Sequence, residues 1–329
     1  MPERSSFEAL KALRNKKCWI LDMDGTVYLG DQVFPDTCPF LERILENGAD
    51  YLFFTNNASR SKETYVKRLA ALGIPAEPRQ ILTSGETTFL FLKSQRPGRM
   101  VYLVGTPDLE EAFRREGIPL YNDLIASGEI LPPGHGQGAR SSDGQDPQPS
   151  DRQGFSGKAA QGKRISPKEE AELCPIVVSS FDTTLTYEKL NIACRLIRNG
   201  AEFLSTHPDF NCPVSAEKGG SVPDSGAICA LITASTGKSP RYLGKPYEDV
   251  VSVIERHTGL DRKDMVVVGD RLYTDVAVGV NNHMDAVLVL SGETALEEVS
   301  EATVRPTYIV RNIGDLLRPD SWEGKDELP

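Results

Sequence analysis

Asp22-Met23-Asp24-Gly25-Thr26 sets two carboxylates one residue apart directly after the apolar run Trp19-Ile20-Leu21. A buried strand that delivers paired acids into a glycine turn prepares chemistry at the edge of a sheet. Carboxylates this close repel one another, and a cation between them relieves the repulsion, with magnesium the natural choice. Asp-Gly is also an ordinary turn dipeptide, so the pair alone is compatible with a solvated turn. Three further segments shift the balance. Tyr51-Leu52-Phe53-Phe54 runs into Thr55-Asn56-Asn57, which brings a hydroxyl and free backbone amides to a second strand end, where a helix cap for Ala58 onward is the plainer reading. Gly244-Lys245-Pro246 offers one cation in a restrained turn ahead of a helix. Met265 to Val268 leads into Gly269-Asp270, again an apolar strand closed by a carboxylate, and Asp275 follows at the start of the next helix. Each segment has a bland reading alone; four at strand ends, in this order, are hard to assign to chance.

The elements that must position these residues alternate. Strand-like Trp19 to Leu21 and Tyr51 to Phe54 are followed by helix-like Cys38 to Glu46 and Lys62 to Leu72, which close on Gly48 and Gly73. The pattern resumes with Tyr247 to His257, Met265 to Val268, Asp275 to Asn281, Ala286 to Leu290 and Thr307 to Val310, the signature of parallel β-α units. Between the blocks lies a second α/β series, from Ser84 to Lys93 through Asp224 to Ala234, which reads as a domain inserted into the first. The expected division is 1–80 and 241–329 for the two parts of the core and 81–240 for the insert. Within the insert, residues from about Leu131 to Glu170 lack a hydrophobic period and are rich in Gly, Pro, Ser and Gln, so a disordered loop is expected there.

Composition bounds the function. A chain of 329 residues is long enough for two domains with sizeable cores. Its formal charge of -10 argues against a nucleic-acid partner and requires any phosphate site to supply local cations. No apolar run reaches membrane-spanning length and no signal-peptide pattern opens the chain, so the expectation is a soluble cytoplasmic protein without a membrane partner. The six cysteines include no Cys-x-x-Cys pair and read as reduced core or loop thiols, not as a zinc site.

Asp22-x-Asp24-Gly25-Thr26, Thr55-Asn56-Asn57, Gly244-Lys245-Pro246 and Gly269-Asp270-x-x-x-x-Asp275 resemble, together, the four motifs of the haloacid-dehalogenase superfamily. The Thr-Asn-Asn and Gly-Lys-Pro wording with a large insert between is most similar to the NagD-type branch, which includes nitrophenylphosphatases and phosphoglycolate phosphatase-like enzymes. The resemblance implies an α/β fold: a Rossmann-like parallel sheet core with a large inserted α/β cap domain. It implies that Asp22 attacks phosphorus to form an aspartyl phosphate, and that Asp24 protonates the leaving oxygen and later acts as base toward water. Magnesium is implied as cofactor, held by the Asp22 side chain, the Asp24 backbone carbonyl and Asp270, with Thr55, Asn56 and Lys245 on the phosphoryl oxygens. Asp275 is expected to orient Lys245 or the metal waters. The expected substrate is a small phosphorylated metabolite, and the cap surfaces are compatible with a homodimer.

Specificity is expected in the cap, at Ser205-Thr206-His207-Pro208-Asp209-Phe210, where family members commonly carry Asn-Pro-Asp and this chain has His207 and Asp209. A signalling receiver module, which also uses acids, Thr and Lys around a phosphorylatable Asp, needs no inserted domain; a catalytically idle binding protein needs a damaged motif, and none is found. Several look-alikes carry no function. Thr236-Gly237-Lys238-Ser239 lacks the upstream glycine of a P-loop, and Gly134-His135-Gly136-Gln137-Gly138 lacks a preceding strand. His257 and His283 follow helices and are expected to meet the carbonyl ends of those helices.

Overall fold

The computed structural model describes residues 5–133, 162–213 and 220–317. Ten strands build its two larger sheets: β1 (Cys18–Leu21), β2 (Asp50–Thr55), β3 (Ile81–Thr83), β4 (Val101–Val104), β5 (Ile176–Ser179), β6 (Glu202–Ser205), β7 (Arg241–Tyr242), β8 (Met265–Gly269), β9 (Asp285–Val289) and β10 (Tyr308–Val310). The first sheet is parallel throughout, in the order β10-β9-β8-β1-β2-β3. Strand order therefore runs outward in both directions from the β1/β8 pair, where Leu21 lies opposite Val268, and the crevice of a doubly wound sheet opens beyond the carboxyl ends of those two strands. The second sheet, also parallel, has the order β7-β6-β5-β4.

Continuous apolar runs form the central strands because both faces are covered. On one face Trp19, Leu21, Phe53, Val266 and Val268 pack with Phe40, Leu41 and Ile44 of helix Thr37–Glu46. On the other, Ile20, Leu52, Phe54 and Val267 pack with Val250, Val251 and Ile254 of helix Glu248–Thr258. The period of two along each strand thus splits its side chains between two helical layers, which fixes register at the site. In the second sheet, Val101, Leu103, Ile176 and Val178 face Phe89, Leu92 and Phe113, while Tyr102, Val177 and Phe203 face Ile192, Leu196 and Ile228.

The expected boundaries shift at both ends of the insert. β3 belongs to the first sheet, with Phe53 opposite Ile81 and Thr55 opposite Thr83, so the core runs past residue 80. At three residues it is too short to show a period, and Thr83 at once becomes the N-cap of helix Ser84–Gln95 through a reciprocal box with Glu86. β7 joins the second sheet, so that sheet extends past residue 240.

The expected loop from Leu131 to Glu170 is ordered at both ends, while residues 134–161, including the Gly134 to Gly138 run, lie outside the described residues. Ile130–Leu131 pairs with Lys163–Arg164, and helix Pro167–Leu173 starts from a capping box between Ser166 and Glu169 with proline at its first position. Glu170 is fully buried, its carboxylate taking two hydrogen bonds from the Arg195 guanidinium at 2.7 and 2.8 Å and one from Tyr121 at 3.1 Å. A capping signature without a long apolar stripe was the missed sign. Removing one partner of such a pair strands the other charge, at a cost of about 3–5 kcal/mol. Arg195→Ala should therefore lower the urea-unfolding free energy by that amount, whereas Glu170→Leu combined with Arg195→Met should recover most of it; a loss of less than about 1 kcal/mol in the single variant would show that the pair contributes little.

Candidate active site

The acids of the first motif sit where the fold places them. Asp22 continues the β1 ladder by donating its N–H to Val268 O at 2.9 Å, and the chain then turns back through Gly25, with Gly25 N–H bonded to Tyr28 O at 2.7 Å. Gly25 has φ +85°, and a Cβ there would lie 2.5 Å from Asp270 Oδ2. Gly292 closes the same carboxylate from the other side, where a Cβ would come within 2.1 Å. Only glycine lets both loops approach Asp270 this closely.

Four charged side chains converge at the β1/β8 crevice. Oxygens of Asp22, Asp270 and Asp275 all lie within 4.8 Å of one another. Lys245 Nζ is 2.6 Å from Asp22 Oδ1, 2.5 Å from Asp275 Oδ1 and 2.9 Å from Phe54 O, which uses all three of its protons. Burial disfavours charge on this ammonium, yet the two carboxylates hold its pKa above the ordinary lysine value. Burial first, and then Asp275, push Asp22 well above the usual carboxylate range, and the same two causes raise Asp270 to about 7. With all three carboxylates ionised, a single ammonium would leave two negative charges without a partner in a largely buried site. Asp270 Oδ2 accepts from Glu293 N at 2.7 Å, while Asp270 Oδ1 is buried with no hydrogen-bond partner. A buried carboxylate oxygen without a donor, beside a surplus of two negative charges, suits a small oxygen-preferring divalent cation.

Asp24 stands outside that converging trio. Burial raises its pKa, while the Gly30 backbone, Arg68 and Arg271 pull less strongly the other way, so its carboxyl retains its proton more readily than a free one. Asp275 lies in a π-helical turn, Leu272–Val276, where a regular helix from Asp275 was expected; the wider turn leaves its Oδ2 accepting from Arg271 N at 3.2 Å while Oδ1 meets Lys245.

A cavity of about 250 Å³ opens over these groups, lined by Asp22, Asp24, Thr55, Asn56, Lys245 and Asp275 from the first-sheet side. Thr55 Oγ1 accepts from Asn57 N at 3.1 Å and remains partly exposed to the cavity. The Asn56 side chain differs from expectation: its Oδ1 accepts from Lys245 N at 2.8 Å and its Nδ2 donates to Lys245 O at 3.2 Å. That amide is committed to bracing the lysine loop and not free for a phosphoryl oxygen. Phe181, Asp209, Asn211 and Cys212 line the cavity from the second-sheet side, and Arg60, Arg68 and Arg271 add guanidinium groups. Arg271 follows Asp270 directly and could have been noticed as a cation at a strand end; Phe181, on a loop, and Asn211, on the three-residue strand Asn211–Pro213, lie on segments too short to show a period.

His207 does not reach the cavity, contrary to its expected role in specificity. It is fully buried, with Nε2 2.8 Å from Asp224 Oδ1 and Nδ1 2.7 Å from Thr206 Oγ1. Its neighbour Asp209 does line the cavity, with Oδ1 accepting from Asn56 Nδ2 at 3.3 Å and Oδ2 3.5 Å from the Arg271 guanidinium. His257 also differs: its Nε2 lies 2.6 Å from Arg79 O, a carbonyl outside its own helix. Gly237 is the left-handed cap that ends helix Ser225–Thr236, so the Thr236-Gly237-Lys238-Ser239 run sits at a helix C-terminus, where no phosphate cradle forms.

The His207–Asp224 pair makes stability depend on pH. Burial opposes charge on the imidazole, but the Asp224 carboxylate outweighs it and raises the pKa above the ordinary 6.5. A folded pKa above the unfolded one gives a contribution that is complete below the unfolded value and is lost as pH rises through the folded value. The wild-type advantage over His207→Asn, measured by urea unfolding across a pH series, should therefore be largest on the acid side of neutrality and shrink as pH rises. An advantage that is flat or grows with pH would contradict the pair.

Comparison with known proteins places this geometry. Residues 19–119 match the family model described as haloacid dehalogenase-like hydrolase, and residues 242–316 match a second, HAD-hydrolase-like model. The acid sugar phosphatase of Staphylococcus aureus is 28% identical over 305 residues, covering 93% of this chain and 98% of that one. The crystal structure of a 4-nitrophenylphosphatase from Thermotoga maritima superposes with a TM-score of 0.74 at 35% identity, over 93% of this chain and 98% of the other. A putative NagD protein superposes at 0.72 with 33% identity, over 92% and 98%. The chain belongs to the haloacid-dehalogenase-like hydrolases, as a phosphatase of the NagD type.

Proposed function

We propose that this chain is a magnesium-dependent phosphatase for small phosphate monoesters that acts through an aspartyl phosphate on Asp22. The observation that carries the reading is the buried group of Asp22, Asp270, Asp275 and Lys245 at the β1/β8 crevice, with Asp270 Oδ1 lacking a donor. Asp22, Asp270 and the Asp24 backbone carbonyl would hold the ion, which supplies neutralisation of the phosphoryl charge. Asp22 attacks phosphorus as the bond to the leaving oxygen breaks, and Asp24 gives that oxygen its proton. Asp24, now a carboxylate, takes a proton from the water that attacks phosphorus, the bond to Asp22 breaks, and inorganic phosphate leaves. Lys245 and Thr55 would hold phosphoryl oxygens; any contact from Asn56 would come from its backbone amide, since its side chain is engaged. Positioning and charge stabilisation supply most of what phosphoryl transfer needs.

The remaining features support a small substrate. A cavity of about 250 Å³ is below the range typical of drug-sized ligands. The second sheet, read as a cap spanning about 84–242, walls the cavity and would exclude water once a substrate is placed. The acid sugar phosphatase and nitrophenylphosphatase relatives, by their names, act on monoesters of that size. Among the described residues no helix is long and apolar enough to cross a membrane, in keeping with a cytoplasmic enzyme meeting diffusible metabolites.

Three experiments test the reading. Asp22→Asn should abolish phosphate release and leave no acid-stable, hydroxylamine-sensitive phosphoenzyme, with turnover below about one per cent of wild type. Chelation should likewise abolish activity, magnesium should restore it and calcium should not; full activity in chelator would remove the metal from the scheme. Asp24→Asn separates the two proton transfers. General acid catalysis contributes about 100- to 10,000-fold, most for a basic leaving group, so turnover of an alkyl phosphate should collapse while nitrophenyl phosphate still gives a burst of nitrophenol before slow turnover. Equal losses on both substrates without a burst would assign Asp24 a different role.

A further inference from the structure

Asp209 was expected to read the substrate, and its contacts point inward instead. It follows β6, is 6% exposed, and its two carboxylate oxygens go to two different loops of the first sheet. Oδ1 takes the Asn56 amide at 3.3 Å; Oδ2 faces Arg271 at 3.5 Å. The backbone around it is clamped. Asp209 O accepts from Gly226 N at 2.7 Å, and a Cβ on Gly226 would come within 2.2 Å of Pro208 O. On the other flank, a Cβ on Gly244 would lie 2.5 Å from Thr206 O and 2.7 Å from Asn56 Oδ1, so the Thr206 to Asp209 stretch is pressed against the lysine loop itself.

What Asp209 holds in Asn56 is an orientation. The Asn56 amide must present oxygen to the Lys245 N–H, and it then presents Nδ2 to Asp209. A flipped amide would set Nδ2 against the Lys245 N–H, donor to donor, and oxygen against the Asp209 carboxylate, acceptor to acceptor. The carboxylate therefore penalises the wrong rotamer at a site where Lys245 reaches back to Asp22 at 2.6 Å. Its other partner, Arg271, adjoins Asp270 and donates its backbone N–H to Asp275 Oδ2 at 3.2 Å.

We propose that Asp209 is a positioning residue for the phosphoryl site: it fixes the Asn56 amide and the Arg271 loop, and through them the placement of Lys245, Asp275 and Asp270 around Asp22. The inference rests on the reading that Asp22 and Lys245 handle the phosphoryl group. It follows that Asp209 sets how fast every monoester turns over, and not which monoester is preferred.

The test compares Asp209→Ala and Asp209→Asn with wild type on nitrophenyl phosphate, a hexose phosphate and glycerol phosphate, together with inhibition by inorganic phosphate, which has no leaving group. Small displacements of reacting groups can cost about 100-fold, so Asp209→Ala should lose about 10- to 100-fold in kcat/KM on all three substrates, with their ratios kept within about threefold. Inhibition by inorganic phosphate should weaken in the same variant while its thermal midpoint stays near that of Asp209→Asn. Asp209→Asn keeps an acceptor for the Asn56 amide and should recover part of the loss, and it carries the test alone if the alanine variant does not fold. Unchanged phosphate inhibition, or substrate ratios that move more than tenfold with nitrophenyl phosphate turnover retained, would overturn the proposal and make Asp209 a leaving-group contact. Failure of the underlying reading shows separately, as turnover retained by Asp22→Asn whatever Asp209 does.

Discussion

Everything around the crevice answers one electrostatic problem: three carboxylates and one ammonium packed together where little water reaches. Such a group is costly to assemble unless each charge has a fixed partner. Lys245 supplies the partner for Asp22 and Asp275, with the third proton spent on Phe54 O, so this one side chain ties the ends of β1 and β2 to the π-helical turn after β8. What it leaves uncompensated is the charge around Asp270, whose Oδ1 has no donor. The glycines at 25 and 292 then make structural sense, since they admit two loops against Asp270 Oδ2, where any Cβ would collide.

The scaffold resists this repulsion because the strands bearing the acids are buried on both faces. Trp19, Leu21, Phe53, Val266 and Val268 are all fully buried, and their pairing register is fixed on both sides of β1. A one-residue slip would drive every one of those side chains into the opposite helical layer, which is packed for different residues, so the carboxylates at the strand ends cannot move apart by sliding. The second sheet contributes stiffness as well as a wall. His207, bonded to Asp224 and Thr206, and Asp209, bonded to Asn56 and facing Arg271, pin the segment after β6 onto the first-sheet loops. At this point the contact between the two parts is made by buried polar groups, which specify geometry more tightly than an apolar patch of the same size.

Legibility in the sequence followed from how each feature is encoded. Strands with four or more buried residues wrote continuous apolar runs, and Asp22, Asp270 and the Thr55-Asn56-Asn57 turn stood at their ends, so a parallel sheet with acids at its strand ends could be anticipated, whereas Lys245 follows a strand of only two residues and was marked by its Gly-Lys-Pro turn. β3 was overlooked because three residues carry no period, and helix Pro167–Leu173 because its evidence was a capping box and one buried ion pair. Asn56 and His207 were placed correctly in the chain, but the direction of their side chains was not legible. Both are polar residues beside a cavity whose side chains turn away from it, a direction set by contacts with Lys245 and Asp224, at separations of 189 and 17 residues, that no local pattern encodes.

That contrast also explains why reaction and substrate are encoded unequally. In the proposed reaction the groups at the phosphoryl end come from motifs beyond the ends of first-sheet strands and from the Lys245 loop, constrained by charge balance and by close backbone approach. The rest of the cavity wall is lined by Phe181 and Arg60 from loops, Arg68 from helix Lys62–Ala71, and Asn211 and Cys212 from the short strand Asn211–Pro213, and each would need only to fill space or offer a guanidinium there. Arg271 belongs to both ends, since it lines the cavity while its backbone holds Asp275 and its guanidinium faces Asp209. Under the proposed function, substitutions at the first five would retune the leaving group without disturbing the charge group at Asp22, whereas a change at Arg271 would alter both. Such a division lets one buried phosphoryl site serve chains with different monoesters, because the electrostatic demand of the site ends where the leaving group begins.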